Sequence, residues 1–242
     1  MKRAIVTGST RGIGRAIGLE LLRQGCEVAF NYCRDEIQAE NLRQELETGG
    51  FSGRYQIIQA DLSTEEGLHT FGERLQERFR KLDYLVLNAS ITCRATLDQL
   101  KLEDWERVLR TNLTMPLFLT QMCASWMQPN GGILFIGAVM GQYPHAMSLP
   151  YGTSKAGIHY LTRALVKEFA GAGVRVNCVA PGFVETDWQK NKPQEIRQSI
   201  ESKVALHRFA TPEEVAHMAW AVLENPYMNG EIVNIDGGYC YQ

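Results

Sequence analysis

Arg3-Ala4-Ile5-Val6-Thr7-Gly8-Ser9-Thr10-Arg11-Gly12-Ile13-Gly14 decides how the chain folds. It opens as a short apolar run of β type, and helical periodicity begins just past the glycines. A strand that turns through glycines into a helix leaves backbone N–H groups at the positive helix end. A pyrophosphate can approach them there. Ordinary strand-to-helix turns also use glycine, so the surrounding pattern has to carry the reading.

That pattern repeats along the chain. Strands are expected at Arg3–Thr7, Glu27–Tyr32, Tyr55–Ala60, Tyr84–Leu87, Gly132–Ile136, Arg175–Val179 and Glu231–Ile235. Amphipathic stretches near 13–24, 36–48, 64–80, 102–127, 151–171 and 212–223 separate them. Ser63-Thr64-Glu65-Glu66 and Thr211-Pro212-Glu213-Glu214 read as helix starts, with acidic residues against the positive end. Strands alternating with helices predict an α/β fold, a single doubly wound domain over 1–242 with a seven-stranded parallel sheet covered on both faces. Only 183–206 breaks the rhythm. It is polar and strandless, which is expected of a lid over a site or of a solvated surface excursion.

Composition bounds the partners. The chain has 242 residues, 45% hydrophobic and 21% charged, close to globular averages. Lys and Arg total 25 against 27 for Asp and Glu, so a nucleic-acid or anionic-membrane surface is not expected. No apolar run is long enough for a membrane span, and Met1-Lys2-Arg3 leads straight into the first strand without a secretory segment. Six scattered cysteines read as reduced thiols, with no metal site. A cytoplasmic protein is the expectation.

The end of the second strand bears on the nucleotide. An acidic residue there would grip the ribose 2′-hydroxyl of NAD, whereas this strand ends Asn31-Tyr32-Cys33-Arg34, with no carboxylate before Asp35. Arg11 and Arg34 are placed to pair with a 2′-phosphate, so NADP(H) is expected; otherwise they are solvated charges. Farther on, Tyr151-Gly152-Thr153-Ser154-Lys155 sets a phenol and an ammonium one helical turn apart. A cation at that distance is expected to lower the phenol's pKa toward working pH, preparing an acid for a carbonyl oxygen.

Together with the glycine turn, this tyrosine–lysine spacing resembles the short-chain dehydrogenase/reductase family over nearly the whole chain, which implies a Rossmann-like fold. By that resemblance the cofactor lies on Gly8, Ser9, Thr10, Arg11, Gly12, Ile13 and Gly14, and on Asn31, Tyr32 and Arg34. Asp61 and Leu62 would contact the adenine, Asn88, Ala89 and Ser90 would support the cofactor, and Pro181, Gly182, Val184 and Thr186 would hold the nicotinamide carboxamide. Tyr151 would be the acid, Lys155 would hold the ribose and tune Tyr151, and Asn112 would keep a proton-relay water. Arg208-Phe209-Ala210-Thr211-Pro212-Glu213-Glu214 and Asn234-Ile235-Asp236-Gly237-Gly238 resemble the 3-oxoacyl-[acyl-carrier-protein] reductase branch. That branch implies NADPH-dependent reduction of a 3-oxoacyl thioester, small or carrier-bound, in fatty acid biosynthesis. It also implies a homotetramer.

Two positions depart from the family pattern. A serine is expected thirteen residues before Tyr151 to hydrogen-bond the substrate carbonyl, and Ala138 stands there. Losing one such donor costs about 10²–10³ in turnover, so compromised activity is expected. Three readings stay open: an engineered change, a non-catalytic nucleotide-binding subunit paired with an active reductase, or a substitute hydroxyl, Ser148. The second departure is Ser90, where the family has glycine. Met140, His145, Phe183 and Trp188 complete the candidate substrate contacts, and a sugar-alcohol or steroid dehydrogenase on the same scaffold is the nearer alternative.

Overall fold

The computed structural model describes residues 1–76, 79, 81–144 and 149–241. Seven strands form one sheet: β1 (Arg3–Val6), β2 (Glu27–Tyr32), β3 (Tyr55–Gln59), β4 (Leu82–Leu87), β5 (Met127–Ile136), β6 (Arg175–Pro181) and β7 (Ile232–Ile235). Their order is β3-β2-β1-β4-β5-β6-β7, and every pairing is parallel. The helices are α1 (Gly12–Arg23), α2 (Glu36–Thr48), α3 (Glu65–Gln76), α4 (Leu102–Leu109), α5 (Met115–Cys123), α6 (Leu149–Phe169), α7 (Gln194–Glu201) and α8 (Pro212–Glu224).

Side chains alternate across the sheet with period two, and each face seeds its own core. Ala4 and Val6, Val28 and Phe30, and Leu134 and Ile136 pack under α1, α2 and α8. Ile5, Ala29, Ile133 and Phe135 pack under α3, α5 and α6. Because all strands run the same way, their carboxyl ends share one edge. Strand order reverses between β1 and β4, which opens the crevice there.

Two expectations shift. The long helix at 102–127 is instead α4, a π-helical turn at Arg110–Thr114 and α5, and it ends early because β5 begins at Met127. The first residues of β5 pair irregularly with β4, and Asn130 turns through a left-handed backbone (φ 67°) before regular register resumes at Gly132. The 183–206 stretch is not irregular throughout. It contains α7, and Val184 bridges Ala210 in parallel. The helix expected at 64–80 begins at Glu65 and is described to Gln76, and residues 77, 78 and 80 lie outside the described residues.

Candidate active site

A crevice of about 590 Å³ lies over the carboxyl ends of β1, β2, β4, β5 and β6. Its floor is the glycine turn. Gly8 adopts φ +58°, and a Cβ there would lie 2.9 Å from the Ala89 Cα, so β1 and β4 close on each other only through glycine. Thr7 ties the same junction, its hydroxyl accepting from the Asn88 and Ala89 amides at 3.0 Å each. Asn88 returns two bonds, donating to the carbonyls of Thr7 (3.0 Å) and Gly8 (2.9 Å). Thr7 stands within the glycine-turn stretch, yet the sequence alone assigned it no role.

Thr10, Arg11, Gly12 and Ile13 line the crevice, and among the described residues no side chain caps the first turn of α1. Uncapped amides at a positive helix end suit an anion such as a pyrophosphate, so these residues fit a dinucleotide. Ser9 and Gly14 differ from expectation. Ser9 is fully buried, donating to the Val6 carbonyl (2.6 Å) and accepting from the Asn31 amide (3.0 Å). Gly14 is buried where a Cβ would overlap the Asn88 amide group, so it permits close packing.

Asn31 is also committed internally. Its Oδ1 accepts from Gly8 N (3.2 Å) and its Nδ2 donates to the Ala60 carbonyl (3.1 Å), wiring the turn to β2 and β3. Tyr32, Arg34, Asp61 and Leu62 line the outer end of the crevice. Arg34 is nine-tenths exposed and 3.9 Å from the Asp61 carboxylate, leaving its guanidinium open to a phosphate. Arg11 reaches Asp35 at 3.3 Å and Asp187 at 3.9 Å, so any ligand phosphate would share it with two carboxylates. Two hydrogen bonds from Ser63 hold Asp61 below the usual carboxylate range.

At the opposite end stand Tyr151 and Lys155, on the first turns of α6, with Ala138 just past β5. The Lys155 Nζ donates to the Ile136 carbonyl at 2.7 Å and lies 5.5 Å from the centre of the Tyr151 ring. Burial pulls Lys155 down to about 8 and pushes the Tyr151 phenol upward. The expected lowering of the tyrosine by its lysine is therefore reversed here. Desolvation penalises both charged forms. Tyr151 stands protonated, with a proton to give.

Asn112, in the π-helical turn, is buried. Its Nδ2 donates to the Ile91 carbonyl (2.9 Å) and to the Ser154 hydroxyl (3.0 Å), which in turn donates to the Tyr151 carbonyl (2.7 Å). The asparagine side chain thus braces the tyrosine's turn, and Ser154 is a supporting residue that sequence reasoning overlooked. Ala138 lines the crevice with a methyl group and offers no donor. Ser90 also lines it, and its buried hydroxyl has no hydrogen-bond partner among the described residues.

Ala89, Pro181, Gly182, Val184, Thr186 and Trp188 face the same space. The Trp188 ring meets Tyr151 edge-on, with centroids 5.8 Å apart. Phe183 and Met140 are elsewhere, contrary to expectation. Phe183 stacks on Phe209 (5.6 Å) and meets Tyr239 (5.2 Å), with Met140 and Ile200 completing a small core that anchors the 183–206 segment. Phe183 is the first apolar side chain past the close Gly182–Asp236 contact, and it turns inward. His145 and Ser148 lie outside the described residues.

Comparison with known proteins agrees with this geometry. A family model described as short chain dehydrogenase matches residues 2–197. The 3-oxoacyl-[acyl-carrier-protein] reductase FabG of Thermotoga maritima is 34% identical over 242 residues, covering 98% of this chain and 97% of the relative. Glucose 1-dehydrogenase 2 of Bacillus subtilis is 35% identical, covering 98% and 94%. The crystal structure of a short chain dehydrogenase from Burkholderia cenocepacia in complex with NADP superposes with a TM-score of 0.91 at 30% identity, covering 99% of this chain and 98% of that one. With its glycine turn, its tyrosine–lysine pair and its seven parallel strands, the chain belongs to the short-chain dehydrogenase/reductase family.

Proposed function

We propose that this protein reduces the 3-oxo group of an acyl thioester with NADPH, at a rate limited by Ala138. The observation that carries the reading is a shared crevice, with Tyr151 and Lys155 opening onto the space lined by the uncapped first turn of α1. The pyrophosphate would rest on Gly12 and Ile13, and the 2′-phosphate on Arg34 with help from Arg11. Bound reduced nicotinamide supplies the hydride. Tyr151 donates its phenolic proton to the carbonyl oxygen as that oxygen gains charge, and the nearby Lys155 ammonium stabilises the phenolate left behind. Trp188 meets the tyrosine ring edge-on and shields one side of it. The 183–206 segment serves as the lid of this site, hinged beyond β6 and anchored by Phe183.

A missing donor at Ala138 leaves the developing oxyanion with Tyr151 alone, and about 3–4 kcal/mol of transition-state stabilisation is forfeited. Ala138→Ser is therefore expected to raise the rate of NADPH oxidation with an acetoacetyl thioester at least tenfold. No gain, with NADPH bound normally, would contradict a limiting role for this position. An inactive Ala138→Ser variant that co-purifies with a second reductase chain would favour a nucleotide-binding subunit. Relatedness to a glucose dehydrogenase makes sugars the second substrate class, tested in the oxidative direction as reduction of NADP⁺. The family resemblance further supports a cytoplasmic homotetramer, which light scattering on the purified chain tests.

A further inference from the structure

Arg11 and Asp187 belong to distant parts of the sheet. Arg11 lies on the turn between β1 and α1, and Asp187 on the segment that follows β6. Strands β4 and β5 stand between β1 and β6, which sets the two parent strands roughly 14 Å apart. Their side chains nevertheless meet, Nη1 to carboxylate at 3.9 Å, and both line the crevice. Beside them the Thr186 methyl lies 3.5 Å from where a Cβ on Gly12 would stand. The segment after β6 therefore arches over the carboxyl ends of β4 and β5 and touches the glycine turn. An ion pair and a methyl contact join the two lips of the crevice.

The two carboxylates on Arg11 are not held alike. Asp35 is closer, at 3.3 Å, and its other oxygen accepts from the Gln38 amide at 3.1 Å, which caps α2. Asp187 has the longer contact and a second partner in Lys190. About half of the Arg11 side chain is exposed, so a ligand can reach it. An anion arriving at this guanidinium displaces Asp187 first and leaves Asp35 in place, and a phosphate offers it more acceptor oxygens than a carboxylate does. We propose that Asp187 is a latch that sets nucleotide specificity. It holds Arg11 across the crevice and yields it to the 2′-phosphate of NADPH, whereas NADH brings no group that breaks the pair. The inference deepens the reading above and rests on it for the part Arg11 takes in holding the 2′-phosphate. An exposed ion pair of this kind is worth up to about fivefold in an equilibrium constant, which sets the size of the effect.

Fluorescence titration of the full chain with NADPH and with NADH tests this in a cycle of Asp187→Asn, Arg11→Gln and the double variant. Asp187→Asn is expected to tighten NADPH about threefold to fivefold, while NADH changes less than twofold. The gain should shrink as salt is raised. In the Arg11→Gln background the same substitution should alter NADPH affinity less than twofold, because no guanidinium is left to compete for. Lys190→Gln removes only the second partner of Asp187 and should leave NADPH affinity unchanged or weaker. Unchanged or weaker NADPH binding by Asp187→Asn would overturn the proposal. So would a gain that persists without Arg11 (plain repulsion), one shared equally by NADH, or one reproduced by Lys190→Gln (local loosening). If the parent protein binds NADPH and Arg34→Glu weakens it while Asp187→Asn has no effect, the latch alone falls. A parent protein that binds no NADPH would take the reductase reading down with it.

Discussion

In the proposed reductase, nucleotide choice is set by Arg34. It projects into solvent at the end of β2, where a carboxylate would exclude a 2′-phosphate. Arg34→Glu should raise the dissociation constant for NADPH at least tenfold and leave NADH unchanged or tighter, read by fluorescence titration. An unchanged NADPH affinity would put the discrimination elsewhere. Arg34, Tyr151, Lys155 and Ala138 were all legible in the sequence, because each is fixed by its distance from a strand end or a glycine. Asn31 and Ser9 were only half legible. Their positions were right, yet their polar atoms are consumed in bonds between Gly8, Val6 and Ala60. Tyr151 was misjudged in sign, since spacing fixes the nearness of a lysine but not the cost of burying both groups.

At the scale of elements, α1 succeeds because its glycines let it lie close on the sheet. A Cβ on Gly18 would stand 2.2 Å from the Phe30 ring, an overlap that requires the helix or the ring to move. Gly18→Ala should therefore destabilise the fold by about 1–3 kcal/mol, despite alanine's better helix propensity. A lower urea midpoint at unchanged slope would show this, and an unchanged or higher midpoint would contradict it. Strands were readable as apolar runs, and most helices by their period. The break inside 102–127 was not, because a π-helical turn leaves the apolar pattern almost unaltered while shifting the phase of the backbone. The 183–206 segment hid α7, a two-turn helix whose burial rests mainly on Ile200.

Across the whole molecule, the sheet sets the two ends of the crevice and α6 carries one more charge-sensitive group. His159 lies one turn beyond Lys155 and is buried against Gly137 and Gly141, with no partner for either ring nitrogen among the described residues. Burial, helped by the charges of Lys155 and Arg163, draws it down to about 4. Between about pH 6.5 and 4 the unfolded chain binds a proton here that the folded chain refuses. Stability contributed by neutral His159 is thus complete above pH 6.5 and falls as pH drops, by up to about 3 kcal/mol. His159→Leu should flatten the melting temperature over this window relative to the parent protein. Parallel pH profiles would show that His159 is not the group responsible. Helical spacing alone does not tell that His159 faces Gly137 and Gly141 rather than solvent.

The account depends above all on the proton held by Tyr151. Rates of NADPH oxidation with an acetoacetyl thioester, compared between Ala138→Ser and the same protein carrying Tyr151→Phe, test it most directly. A loss of at least a hundredfold, with the affinity for NADPH unchanged, is the result predicted. Comparable rates in the two proteins would contradict it.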